Sequence, residues 1–159
     1  MNAFAVLTAT AAVGSSLVGG VFFAFSGFVM PALQRLPTAS GLAAMQSINV
    51  AAVGPPLMTA LFGTAATAVA VPIVAWGAGR GRSTLVLVCL AGGCYLLGTV
   101  GTTVAANVPL NDRLAAATAL PADAWTQWVT AWTHGNHLRT AAALAAAALY
   151  TAALLRPAS

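Results

Sequence analysis

Few side chains in this 159-residue chain could do chemistry, and most of them fall in its last third. His134 and His137 are its only histidines. A single histidine can act as a general base, because its neutral form is available near pH 7. Two at this spacing could share a metal, with Asp112 as a third ligand. Arg139 lies inside an apolar run. A cation within a membrane segment is costly and by default marks a function, unless it snorkels to the headgroups. The function would be to orient an anionic oxygen on a ligand. At helical pitch Trp125, Trp128, Trp132, Asn136 and Arg139 fall in one narrow stripe, and His134 and His137 fall on the opposite one. His137 and Arg139 converge only if the helix is irregular near Gly135 or if Arg139 bends back. The tryptophans form either an interfacial belt or an apolar wall for a flat ring.

Upstream, Tyr95, Thr99, Thr103 and Asn107 recur at steps of four, which is one helix face. A polar stripe in a membrane helix faces inward, toward partners or a cavity. The threonines could instead bond back to carbonyls of their own helix. Asn107 opens the run Asn107-Val108-Pro109-Leu110-Asn111-Asp112, whose asparagines cap turns or line the cavity. Gln46 and Asn49 lie three apart on a short helical pattern from Ser40 to Val50, lining that cavity or facing solvent. Asp112 and Asp123 are the only carboxylates, and there is no Glu. A proton-coupled exporter needs a membrane-buried carboxylate, so that class is excluded. Cys89 and Cys94 point about 140° apart on an α-helix and cannot pair. They read as small buried apolar residues.

The elements that must position these groups follow from composition. Apolar residues make up 60% and charged residues 5%, against about a quarter charged in ordinary domains. That excludes an independent soluble enzyme and a disordered chain. The six arginines are scattered, which excludes a nucleic-acid surface. About 20 apolar residues cross a bilayer. Four stretches qualify, at about 4–30, 55–76, 84–106 and 138–155. No strand-like alternation occurs, so a β-barrel is excluded. The first stretch lacks a basic flank and is too long for a signal peptide, so it reads as a retained helix.

The expected fold is all-α. It is a single domain over 1–159, a four-helix transmembrane bundle whose longer segments 31–54 and 107–137 cap the extracytoplasmic side. Residues 121–137 read as a surface helix leading into the fourth span. Arg80, Arg82 and Arg156 fall on one side, while Arg35, Arg113 and both Asp fall on the other. This bias puts both termini in the cytoplasm of an integral membrane protein. Ser16, Gly20 and Ala24, with Gly63, Thr67, Gly93, Gly98 and Thr102, are the small residues expected at helix interfaces.

Several runs have a familiar pattern. They are Gly19-Gly20-Val21-Phe22-Phe23-Ala24-Phe25-Ser26, Val29-Met30-Pro31-Ala32-Leu33 and Ala44-Met45-Gln46-Ser47-Ile48-Asn49. Asn107-Val108-Pro109-Leu110-Asn111 continues it, as does Trp132 followed by Asn136-His137-x-Arg139-Thr140. Over essentially the whole chain this resembles the small four-helix membrane proteins of the anthrone oxygenase family. The resemblance implies a membrane-embedded oxygenase acting on an anthrone-like or phenolic substrate, without an organic cofactor. On that basis His137 is the expected base, and Arg139 with Asn107 or Asn136 stabilises the oxyanion. Trp132, Phe22 and Phe23 would hold the rings, with Gln46, Asn49, Asn111 and Tyr95 as further substrate contacts. No cofactor is expected. The metal alternative is a metal-dependent membrane oxidoreductase using His134, His137 and Asp112. A competing class is a non-enzymatic binding or assembly protein for a lipid, quinone or partner helix. The expected partners are a small aromatic or lipophilic molecule and the lipid bilayer, with a homo-oligomer left open.

Overall fold

The computed structural model describes residues 2–156, so Met1 and 157–159 of the expected domain lie outside the described residues. Five helices run in order, with no strand among the described residues. They are α1 (Ala3–Gln34), α2 (Thr38–Ala52), α3 (Pro55–Gly77), α4 (Arg82–Ala115) and α5 (Ala122–Leu154). Helices α1, α3 and α4 are long and apolar enough to cross a membrane, which marks an integral membrane protein. Helix α5 has 33 residues and falls short of that apolarity, because its first half carries the Trp, His and Arg groups.

The helix starts follow local chemistry. Asn2 caps α1 by accepting a 2.9 Å bond from the Ala5 amide. Prolines open α2, α3 and α5, where a missing N–H is harmless. Between α3 and α4 the chain reverses at Gly79, whose φ of +65° suits glycine. Helix α1 packs against α3 and α5, and α4 packs against the same two. Helix α2 packs against the end of α1, the last turns of α4, and α5.

Two spans continue further than the sequence suggests. The run from Asn107 to Asn111 is helical, and α1 continues through Pro31 to Gln34. Both helices widen into π turns just before a proline, at Phe25–Val29 ahead of Pro31 and at Thr103–Asn107 ahead of Pro109. The residue before each proline donates five positions back, Met30 to the Phe25 carbonyl and Val108 to the Thr103 carbonyl. A proline ring in a regular helix collides with the carbonyl four residues earlier, and a wider turn accommodates it. A further π segment covers Cys94–Gly101.

These turns shape the polar face of α4. On an α-helix, steps of four drift by about 40° each, so the stripe would wind around the rod. Wider turns offset that drift. Tyr95, Thr99 and Asn107 are all fully buried, and Thr103 is half-buried between them.

The expected close-packing stripe on α1 is displaced by one residue. Ser16 and Gly20 are exposed, and Ser15, Val18, Gly19 and Phe22 face inward instead. Gly63 and Gly93 likewise meet no neighbour, whereas Gly98 lies against Ala142, where a Cβ would come within 2.5 Å of its methyl. A sequence of mostly small apolar residues carries no strong moment, so it does not declare which face is inward. Cys89 is exposed and Cys94 half-buried, so only the second approaches the buried role expected of both.

Candidate functional site

Arg139 is 5% exposed, buried within the protein and not snorkelling. Its Nη2 donates to Asn136 Oδ1 at 2.7 Å, and its Nη1 lies 3.5 Å from Thr103 Oγ1. The guanidinium carbon stands 4.1 Å from the Phe22 ring centroid and 5.2 Å from that of Trp132. Such stacking favours a cation in a dry site. All these partners are neutral, and both acidic side chains of the chain are exposed. The Arg139 Nε has no hydrogen-bond partner.

This guanidinium lines a cavity of about 210 Å³. The polar lining is Asn49, Thr103, Asn111 and Arg139, and the rest is apolar or aromatic, including Phe22, Phe25, Met45, Leu61 and Trp132. The Asn49 Nδ2 is also buried without a partner. Two buried donors with nothing to bond belong to residues that line one cavity, which gives that cavity a donor-rich polar end suited to an acceptor oxygen on a ligand. Arg139 is the one titratable side chain among the lining residues.

The expected site residues divide into four groups. Arg139, Asn49, Asn111, Trp132 and Phe22 line the cavity. Asn136 and Asn107 are both 0% exposed and lie beside it, but their amide donors are engaged elsewhere. Asn136 Nδ2 donates to the Phe22 carbonyl and to Ser26 Oγ, each at 2.6 Å. Asn107 Nδ2 donates to the Trp132 carbonyl at 3.1 Å. Gln46 and Tyr95 act as struts between helices. Gln46 Nε2 bonds the Leu114 and Ala117 carbonyls at 2.8 and 2.9 Å, and Tyr95 bonds the Leu61 carbonyl at 3.2 Å.

His137 and Phe23 are exposed and do not line the cavity. Helix α5 is regular through Gly135, so the kink that would have brought His137 beside Arg139 does not form. His134 and Asp112 are exposed as well. Among the described residues no group of three His, Cys, Asp or Glu side chains comes together to hold a metal.

The tryptophans form an internal wall. Trp125, Trp128 and Trp132 are buried and stack in series, with ring centroids 5.6 and 6.2 Å apart. Trp128 donates to the Leu110 carbonyl and Trp132 to Asn111 Oδ1, at 2.9 and 2.8 Å. Sequence reasoning missed Phe25, whose ring lies 5.9 Å from Trp132. It also missed Ser26 and Thr103 as site groups. Their signal was a hydroxyl a few residues before a proline in a membrane helix.

A family profile described as anthrone oxygenase matches residues 48–149. No curated protein and no solved structure matches the chain.

Proposed function

The chain belongs to the anthrone oxygenase family, and on that premise we propose that it is a membrane oxygenase acting on an aromatic ketone or phenol whose conjugate base carries an anionic oxygen. The observation that carries the reading is that Arg139 and Asn49, each with a buried unpartnered N–H, line the same aromatic cavity. In the bilayer, α5 joins α1, α3 and α4 as a fourth crossing, with both termini cytoplasmic. Helix α2 and the adjoining ends of α4 and α5 then cap the opposite side.

The substrate oxygen rests against Arg139 and Asn49, and the rings lie between Trp132, Phe22 and Phe25. A buried cation favours the enolate over the neutral ketone, because the anion gains a charge-assisted bond in a dry site. The carbon-bound proton is lost to water outside the dry cavity, since the lining holds no base. The enolate passes one electron to molecular oxygen, and the resulting radical and superoxide join to form a carbon–oxygen bond. The peroxide is protonated and its O–O bond breaks as water departs, while the second hydrogen on that carbon leaves as a proton. Substrate and oxygen thereby give a quinone and water.

Purified protein in lipid nanodiscs, given anthrone, should consume oxygen above the protein-free rate and form anthraquinone mole for mole. Arg139→Gln should abolish the excess. Uptake equal to the protein-free rate in the wild type would overturn the reading.

A second reading is a carrier for an acidic lipophile. The absence of a titratable base among the lining residues favours it. Tight binding of an aryl anion without oxygen consumption would select it.

A further inference from the structure

The cavity has a closed side and an open side. At the end of the bundle, the last turns of α4 are held from two directions. Gln46 ties them to α2 through the Leu114 and Ala117 carbonyls, and Trp128 and Trp132 tie them to α5 through Leu110 and Asn111. Helices α3 and α4, by contrast, diverge. They pack together along Arg82–Gly93, less so along Cys94–Gly101, and hardly at all beyond Thr103. The last bond between them is Tyr95 to the Leu61 carbonyl, and Leu61 forms part of the cavity wall.

Above that bond the rim is apolar and exposed. Phe62 on α3, Val104 and Val108 on α4, and Val53 at the α2–α3 junction all line the cavity and are all exposed. The lining residues from α1, α2 and α5 are buried or half-buried. Phe62 lies about 10 Å along α3 from its first residue at 1.5 Å per residue, which is inside the hydrocarbon layer if α3 crosses it. An exposed apolar rim is tolerated there, because lipid tails are as apolar as the side chains.

Volume points the same way. An apolar cavity of about 150 Å³ encloses benzene, so a 210 Å³ cavity holds little more than two fused rings. A longer ligand must project through the open side.

We infer that the cavity loads sideways from the bilayer, through the gap between α3 and α4 framed by Phe62 and Val104, and takes lipophilic aryl anions whose oxygen reaches Arg139. This deepens the reading of the cavity as the ligand site and does not depend on the oxygenation chemistry. The portal is a kinetic element. Narrowing it slows loading and release together, and Arg139 sets affinity.

The test uses the full chain in nanodiscs with anthracene-9-carboxylate, which accepts energy from tryptophan, followed by stopped-flow quenching. Val104→Phe should lower association and dissociation rates together by about tenfold, as a steric gate does. Phe62→Ala should raise both. Gln46→Ala, which loosens the opposite end, should leave both unchanged, and Arg139→Gln should weaken binding. Rates that respond to Gln46→Ala and ignore the two rim variants would overturn sideways loading while leaving the ligand site in place. Absence of quenching in the wild type, or binding indifferent to Arg139→Gln, would overturn the ligand site as well. Oxygen uptake is read separately, so failure of the chemistry is not confused with failure of the portal.

Discussion

Asn136 holds Arg139 in place. Its Oδ1 accepts from Arg139 Nη2 at 2.7 Å, while its Nδ2 is bonded to the Phe22 carbonyl and Ser26 Oγ at 2.6 Å. One amide thereby ties the cation of α5 to the π turn of α1. Its two ends cannot be exchanged, since the guanidinium only donates and the Phe22 carbonyl only accepts.

Asn136→Leu keeps the branched shape and removes both functions. It leaves a guanidinium, a carbonyl and a hydroxyl short of partners in a buried site. The expected loss is about 2 kcal/mol or more, read as a lower thermal midpoint in detergent. Oxygen uptake should fall with it, because Arg139 loses its anchor. An unchanged midpoint would show that the amide does not hold the site.

Arg139→Met separates function from stability. Replacing a buried charge that has no counter-ion by an apolar chain removes its desolvation cost but leaves Asn136 Oδ1 without a donor, so the two effects offset to within about 1 kcal/mol. Binding of an aryl anion should fall at least about tenfold, the scale of one charge-assisted bond. A midpoint that holds or rises while quenching disappears is the expected pair of results. A fall in both would make the arginine a structural residue.

His137 is exposed and stands apart from the cavity lining. Surface substitutions usually move free energies by no more than about 0.5 kcal/mol, roughly twofold in a rate. His137→Ala should therefore leave oxygen uptake within that range. A large loss would restore the histidine as the base and require the helix to rearrange during turnover.

Gly135 is where α5 passes Asn107. A Cβ at this position would lie 2.6 Å from Asn107 Oδ1, an atom that is buried and unpartnered. Gly135→Ala should destabilise by about 1–3 kcal/mol through overpacking. Adding Asn107→Ala should cost less than the sum of the two single changes, since the clash is then gone. Thermal midpoints of the three variants decide it, and strict additivity would count against the contact.

Some of this protein could be read directly from its residues. The lack of charge forces the chain into lipid, and helices are then the way for its backbone to bond itself. A lone arginine in an apolar run either faces inward or snorkels, and Arg139 faces inward. Its stripe with Trp125, Trp128, Trp132 and Asn136 follows from helical pitch, and all five are buried. The family pattern was also legible, from Phe22 through Asn136-His137-x-Arg139.

Other features required the folded chain. Only packing could select Ser15 and Gly19 over Ser16 and Gly20, because the members of each adjacent pair are identical in the sequence. Only the π segments Cys94–Gly101 and Thr103–Asn107 of α4 keep Tyr95, Thr99 and Asn107 on one line, and a regular 3.6-residue pitch would have spread them. Hydrogen-bond partners were likewise beyond reach. Asn107, Asn136, Gln46 and Asn49 are the same kind of side chain in a sequence. Three of them have their amide donors bonded to backbone carbonyls, and Asn49 is left with a free donor at the cavity. That difference depends on which backbone groups lie within 3 Å, and such distances exist only once the helices have met.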